Sequence, residues 1–334
     1  MNDLLRSLAQ ERERRRDRTA TAAVPRAPRA SAHSAEIITN GEGVYRDLLS
    51  LIVEPMRLEL RNTFASVCRM WRVAARCVYC EAKFSSTIPS SVAVLTSDEV
   101  AVAHAHGSLH LYGFDGTYRR SLRNAPSAVS GMAFDSQSRH LFLANRLGSV
   151  YRYRMPSGVL EWLVRDFNVL QCPEDICLSQ NVVFVADSTA HRIATFDAET
   201  GEFLRFLGNQ GELFQPQAVA VQHDRAFVVD SIKDHIVNFS WPTGDKLTTI
   251  GKKGRAPGEF MNLRGLAIVR NYLLVIEERR IQLLTRSGVP CQVLVLGLLQ
   301  NAQLRGACFS SERNTAMVAD VGQGCVHRLA FALW

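Results

Sequence analysis

The sequence has no apolar run near the 18 to 20 residues or so that a membrane-spanning helix needs. Its first residues, MNDLLRSLAQERERRRDR, also lack the apolar stretch of a secretory signal. Lysine is scarce, at 5 residues against 34 arginines. The first two absences predict an intracellular protein, cytoplasmic or nuclear, with no membrane partner. A content of 47% hydrophobic and 21% charged residues is typical of a globular chain.

Motifs for metal, cofactor or nucleotide binding are also missing. Cys77 and Cys80 form a lone pair, without a second pair or histidines at zinc-finger spacing. The eight cysteines, in a chain without a secretion signal, are expected to be reduced thiols. Gly251-Lys-Lys-Gly254 leads into no predicted helix, which argues against a phosphate-binding loop. We therefore expect no metal and no cofactor.

What the sequence does contain is a sixfold repeat that begins at Ile88. The first strands, aligned on their middle residues, are 40, 44, 43, 47 and 41 residues apart. These middle residues are Ser91, Gly131, Asp175, Ala218, Gly265 and Gly306. The second strands end at His104, Asn145, Asp187, Asp230, Glu277 and Asp320. A period of about 40 to 45 residues made of short strands is typical of propeller blades, so the sequence predicts a mainly β fold, a six-bladed β-propeller over residues 81–334.

The last repeat ends at Trp334, directly after its third strand. A closed ring therefore needs an outer strand from elsewhere, and Ala82 to Thr87, just before the first blade, are predicted to supply it. Such closure removes an exposed sheet edge.

The acids that end the second strands are predicted to be architectural, because every blade demands a short acceptor there to satisfy turn N–H groups. Asp175 is the one clear candidate ligand among the first strands. A catalytic metal needs about three protein ligands. We therefore predict no catalytic residues and no enzyme activity, and a metal-dependent propeller lyase or hydrolase is the less favoured reading.

The N-terminal part differs from the repeats. Residues 1–40 contain eight arginines and two prolines, a composition typical of a disordered arm. From about Val44 to Tyr79 the spacing of apolar residues predicts helices, interrupted at Pro55. One alternative is that these helices only cap the propeller.

Residues 41–80 also resemble an F-box, the module that recruits a protein to a cullin ubiquitin ligase through a Skp-type adaptor. Asp47-Leu48-Leu49 and Ile52 match its opening, and Val67-Cys68-Arg69-x-Trp71-Arg72 matches its close, whereas Val44-Tyr45 replaces the usual Leu-Pro. The resemblance implies that adaptor contact or F-box packing is carried by Leu48, Leu49, Ile52, Leu58, Phe64 and Trp71.

The propeller resembles the NHL-repeat class, most clearly in VADSTAHRIATFD (Val185 to Asp197) and VVDSIKDHIVNF (Val228 to Phe239). Some NHL propellers bind RNA on a basic face. The residues expected to form a partner-binding patch on one face here are Lys233, His235, Lys252, Lys253, Arg255 and Arg279.

Together these features predict a non-enzymatic interaction protein. The F-box-like segment would dock to a Skp-type adaptor and a cullin ligase, and the propeller face would hold a protein target. The alternative is an NHL-type scaffold or RNA-binding protein without a ligase connection. DNA is not an expected partner.

Overall fold

The computed structural model describes residues 77–82, 88–208, 211–295 and 302–331. Their regular structure consists of 24 strands in six antiparallel sheets of four strands each, which are the blades of a six-bladed propeller. The predicted fold class is confirmed. No helix in the described ranges is long and apolar enough to cross a membrane.

Blades one to five each use four consecutive strands, and blade six combines the first strand of the chain with the last three. Blade one contains β2 (Pro89–Val94), β3 (Glu99–His104), β4 (Leu109–Gly113) and β5 (Tyr118–Ser121). Blade two contains β6 (Val129–Asp135), β7 (His140–Asn145), β8 (Ser149–Arg154) and β9 (Val159–Val164). Blade three contains β10 (Pro173–Ser179), β11 (Val182–Asp187), β12 (Arg192–Asp197) and β13 (Phe203–Leu207).

Blade four contains β14 (Pro216–Gln222), β15 (Arg225–Asp230), β16 (His235–Ser240) and β17 (Lys246–Ile250). Blade five contains β18 (Leu263–Val269), β19 (Tyr272–Glu277), β20 (Arg280–Thr285) and β21 (Pro290–Val295). Blade six contains β22 (Leu304–Ser310), β23 (Thr315–Asp320), β24 (Cys325–Phe331) and β1 (Cys77–Ala82).

The ring is closed by β1, which pairs antiparallel with β24 from Cys77 opposite Phe331 to Ala82 opposite Val326. Closure by a strand that precedes blade one is confirmed, but its predicted position was wrong, because β1 begins five residues before Ala82. Cys77 to Tyr79, assigned to the helical segment by apolar spacing, therefore lie in a strand. Val and Tyr favour strands, and pairing with β24 decides the conformation.

The predicted repeat phasing agrees with the strands. All six first-strand anchors lie in the innermost strands, and all six second-strand anchors are the last residues of β3, β7, β11, β15, β19 and β23. β5 was not predicted from the sequence, because its residues Tyr-Arg-Arg-Ser carry no apolar pattern. An outer strand needs no apolar pattern, because it is paired along one edge only and its side chains are largely exposed.

The hydrophobic core consists of six clusters, one between each pair of adjacent blades. Second strands such as β7 and β23 are buried on both faces, so they read as continuous apolar runs. The cluster between blades six and one packs Tyr112 and Val102 against Met317 and Val326. Since burying one large apolar side chain contributes about 1.5–3 kcal/mol, this cluster also stabilises the closed ring.

The innermost strands surround a central channel and approach one another closely. A Cβ added at Gly131 would lie 2.7 Å from the Cα of Asp175 in the next blade. A Cβ at Gly265 would lie 2.8 Å from the carbonyl oxygen of Arg305. Small residues at this repeat position thus let neighbouring blades pack around the axis.

Candidate functional site: the mouth of the central channel

A β-bulge interrupts every innermost strand near its second residue. A bulge leaves one residue unpaired and changes the direction of its side chain. The six residues at this position line one mouth of the channel and are called the mouth ring: Ser90, Ser130, Glu174, Gln217, Arg264 and Arg305. Arg146, Asp175 and Gly306 complete a small solvent-open pocket there.

The channel-mouth face is the face on which innermost strands begin and second strands end. It consists of the turns between second and third strands and the connections between blades. Sequence differences among blades concentrate in such turns and connections, where binding residues commonly lie.

One acid of the mouth ring is neutralised within the pocket. Glu174 accepts a hydrogen bond from Arg146 Nε at Oε1 (3.0 Å) and one from Arg146 Nη2 at Oε2 (2.7 Å), in bidentate geometry. Burial would lower the pKa of Arg146, but the hydrogen bonds and charge of Glu174 outweigh it, and the pKa is raised.

Two arginines of the mouth ring have no such partner. Within the described residues, neither Arg264 nor Arg305 forms a hydrogen bond or an ion pair with another side chain. Burial and the positive charges of Arg146 and Arg264 lower the pKa of Arg305, against the opposing charge of Glu174. The pocket therefore holds three guanidinium groups against the carboxyl groups of Glu174 and Asp175, which leaves it with an excess of positive charge.

The remaining polar groups of the mouth join neighbouring blades. Ser90 Oγ donates to the carbonyl oxygen of Val129 at 2.8 Å, and Ser130 Oγ donates to that of Pro173 at 2.6 Å. The carboxylate of Asp175 accepts a hydrogen bond from the backbone N–H of Val219 at 3.1 Å, across to blade four. Burial raises the pKa of Asp175 to about 7.

Asp175, the candidate ligand of the sequence analysis, thus lies in the pocket but serves as a link between blades. Five of the six blades have Ser, Gly or Ala at its repeat position. Its carboxylate is already bonded to backbone, and three nearby arginines repel a cation. The pocket is chemically suited to an anion.

Exposed apolar side chains flank the pocket on the same face. The apolar rim comprises Leu147, Phe167, Phe214 and Ile232, which are 53%, 59%, 41% and 57% exposed. They lie in turns or connections of blades two to four. Gly148, at φ +78°, makes room for Phe167, whose ring a Cβ there would approach to 2.9 Å. Exposed apolar groups beside polar ones are typical of protein-binding surfaces.

The predicted patch residues lie on the channel-mouth face too, over blades four and five. Lys233 and Arg279 lie in turns, and Lys252, Lys253 and Arg255 lie in one connection. Two of these cations face carboxylates: Lys252 Nζ is 3.4 Å from Glu259, and Lys253 Nζ is 3.8 Å from Asp234. The patch is therefore less positive than its sequence suggests.

His235 differs from the rest of the predicted patch. It begins β16 and is half-buried, and its Nε2 is buried without a hydrogen-bond partner. Burial lowers its pKa, which favours the neutral ring. Such a histidine is poorly suited to binding an anion.

The repeated acids are architectural, as the sequence predicts. Asp187 accepts hydrogen bonds from the backbone N–H groups of Gln171 and Cys172, and Asp230 accepts them from Phe214 and Gln215. Each carboxylate thus fixes the connection that enters its own blade.

A group of metal-ligand type, Asp320, Cys325 and His327, is buried in blade six. His327 Nε2 lies 2.8 Å from Asp320, which also accepts backbone N–H groups. Gln282 occupies the equivalent position in blade five and donates to Glu277 in the same way. This equivalence indicates that His327 supports the strand-end acid. The group lies outside the mouth pocket.

Cys172, Cys177, Cys291 and Cys308 have free thiols. Burial raises the pKa of Cys308 to about 12 and that of Cys177 well above its ordinary value. Both are therefore protonated thiols at neutral pH and poor nucleophiles.

Sequence reasoning missed Arg146, Arg264 and Arg305. A signal for the two ring arginines was present, because each stands one position before an aligned first-strand anchor. What the sequence could not show was that a bulge turns this position into the channel. The F-box-like residues Leu48, Leu49, Ile52, Leu58, Phe64 and Trp71 lie outside the described residues.

Comparison with known proteins supports the architecture. The NHL-repeat family model matches residues 170–196, which form most of blade three. No curated protein shows significant sequence similarity to this chain.

Two solved propellers illustrate the structural likeness. The WD40 β-propeller domain of Doa1 is 11% identical, with a TM-score of 0.55 over 75% of this chain and 97% of that domain. A gluconolactonase from Xanthomonas campestris is 14% identical, with a TM-score of 0.62 over 77% of this chain and 90% of the enzyme. At these identities the likeness shows the fold alone, since propellers host many activities. The chain is a six-bladed β-propeller with an NHL-repeat match in blade three, a fold that suits a protein-interaction scaffold.

Proposed function

We propose that this protein is a non-enzymatic substrate receptor of a cullin-type ubiquitin ligase. In this role the F-box-like segment binds a Skp-type adaptor, and the channel-mouth face of the propeller holds a target protein. The protein would act inside the cell, in the cytoplasm or nucleus.

The observation that carries the target-binding half is the composition of the channel-mouth face. An apolar rim beside a positively charged pocket offers both contact area and a specific polar anchor, which protein interfaces commonly combine. The NHL-type fold presents this face on a rigid ring, so binding requires little ordering of the propeller.

The ligase half is supported by sequence. Val67-Cys68-Arg69-x-Trp71-Arg72, with Leu49 eighteen residues before Val67, matches the F-box pattern directly before the propeller. A protein that links an adaptor to a rigid binding ring needs no active site of its own.

Chemistry in the described residues favours binding over catalysis. Three arginines at the channel mouth disfavour a catalytic cation, and the carboxylates of Glu174 and Asp175 are held by Arg146 and by backbone. The thiols of Cys177 and Cys308 are protonated. A lactonase-like reaction would need a ligand set that the pocket does not resemble.

Adaptor binding can be tested by a pull-down of the tagged full-length chain from its own cells at moderate salt, probed for adaptor and cullin. Replacing Leu48 and Leu49 together with alanine should abolish recovery of both while leaving the propeller's thermal transition unchanged. Leu4→Ala with Leu5→Ala is the matched control and should retain both. Unchanged recovery with the Leu48 and Leu49 variant would reject the ligase assignment.

RNA binding is the second candidate, favoured by the exposed Lys233, Arg255 and Arg279 on the channel-mouth face. A filter-binding assay with single-stranded RNA should then show affinity that falls steeply with salt. Absent or salt-insensitive binding would eliminate this candidate.

A further inference from the structure

The two unpaired arginines of the mouth ring point to a specific kind of target. We propose that the channel mouth binds one anionic side chain of the protein partner, a carboxylate or a phosphorylated residue, between Arg264 and Arg305. This proposal deepens the target-binding half of the proposed function and is independent of the ligase connection.

The positive charges of the pocket favour an anionic ligand. Arg264 and Arg305 are half-buried in one pocket, and Arg146 adds a third positive charge. Burial, together with the positive charges of Arg146 and Arg264, lowers the pKa of Arg305. Like charges held together in a partly desolvated site repel one another. An oxyanion that reached the pocket would relieve this repulsion and accept charge-assisted hydrogen bonds from both guanidinium groups.

The other polar groups of the pocket already have partners. Glu174 satisfies Arg146 through a bidentate pair, and nothing equivalent occurs opposite Arg264 or Arg305 in the described part of the chain. Ser90 and Ser130 direct their hydroxyl hydrogens to carbonyl oxygens of neighbouring blades. The free donors are therefore concentrated on the side of blades five and six.

The arrangement of the cations fits a polypeptide better than a nucleic acid. RNA binding depends on cations spread along a backbone and on aromatic rings between them. Here the unpaired arginines converge on the axis, whereas Lys252 and Lys253 farther out face carboxylates. A single anionic group at the centre, with apolar contacts to the rim, fits a protein segment.

The test uses the full-length chain and fluorescence anisotropy with three labelled probes: a deca-glutamate peptide, a glycine peptide with interspersed phosphoserines, and deca-uridylate. At least one acidic peptide should bind, and inorganic phosphate should displace it. The double variant Arg264→Gln/Arg305→Gln should weaken binding by about tenfold or more, because each charge-assisted hydrogen bond contributes on that scale. The matched control Arg255→Gln/Arg279→Gln removes the same charge from the channel-mouth face outside the pocket and should weaken binding by less than about twofold.

Comparing the peptides identifies the source of the anion. Binding of both supports a site for either group, and binding of the phosphoserine peptide alone assigns it to phosphorylated residues. Equal weakening by the two double variants would show a diffuse charge effect and overturn the proposal. The absence of binding by either peptide would also overturn the proposal. RNA binding that depends on Arg264 and Arg305, when peptide binding does not, would overturn it as well.

A folding defect must be kept separate from lost binding. The Arg264 and Arg305 substitutions should leave the thermal transition as high as in the wild type, since they relieve repulsion. If the substitutions lower the thermal transition, binding is tested on the wild type by modification of its arginines with phenylglyoxal. Phosphate should then protect Arg264 and Arg305 several-fold from modification while leaving Arg279 reactive. Equal protection of all three arginines would overturn the proposal. Failure of the adaptor pull-down would leave each of these outcomes unaffected.

Discussion

Asp175 should make the stability of the propeller depend on pH. Its carboxyl has a pKa of about 7 in the folded chain, against an ordinary value of 3.8. Between these values the folded state keeps a proton that the unfolded state releases, so the free energy of unfolding falls as pH rises from about 4 to 7. At about 1.4 kcal/mol per pH unit, the loss reaches about 4 kcal/mol. Because Asp175 borders a solvent-open pocket, this value is an upper limit.

Asp175→Asn isolates this contribution. The amide oxygen can still accept the hydrogen bond from the Val219 backbone, but the side chain no longer titrates. The variant should therefore be more stable than the wild type above pH 7, by as much as about 4 kcal/mol, with the difference shrinking toward pH 5.

Urea unfolding followed by tryptophan fluorescence at pH 5, 6, 7 and 8 measures this difference. Asp224→Asn, at an exposed carboxylate, is the control and should show almost no pH-dependent change. A difference between wild type and Asp175→Asn that stays constant from pH 5 to 8, or that favours the wild type at high pH, would refute the reasoning.

Three further predictions concern the ring itself. Gly131→Ala should lower the free energy of unfolding by about 1–3 kcal/mol, since its Cβ would press on the Asp175 backbone. Gly306→Ala, at the same repeat position, should cost less than about 1 kcal/mol, because its Cβ meets only Ser91 Oγ at 3.8 Å. Thermal unfolding that ranks the two variants the other way would contradict this packing. Asp187→Ala should cost about 3 kcal/mol, because it leaves the partly buried N–H groups of Gln171 and Cys172 without their carboxylate acceptor, and chemical denaturation showing a loss below about 1 kcal/mol would reject that account. Deleting residues 325–334 removes β24 and the partner of β1, so soluble expression should be lost; a soluble deletion variant with a cooperative melt would show that closure by β1 is dispensable.

The sequence by itself determined the architecture. A period of about 43 residues made of short strands predicts propeller blades. The apolar second strands, each ending on a polar acceptor, indicate that each blade buries both faces of this strand. The acids at Asp187 and Asp230 could be assigned to turn hydrogen bonds for the same reason, because a residue needed in every repeat serves the repeat. Local pattern carried these predictions, since strand period and turn chemistry are local properties.

Tertiary structure decided the rest. The closing strand lies at Cys77–Ala82 because pairing with β24, and not the local preference of these residues, selects their conformation. The pocket exists because six bulges turn equivalent residues toward one axis, which brings Arg264 and Arg305 close to Arg146 in a turn of blade two. Because these three arginines are far apart in the sequence, the local pattern could not predict that they share a pocket. Only closure of the ring places their charges close enough to repel one another and to favour an anion.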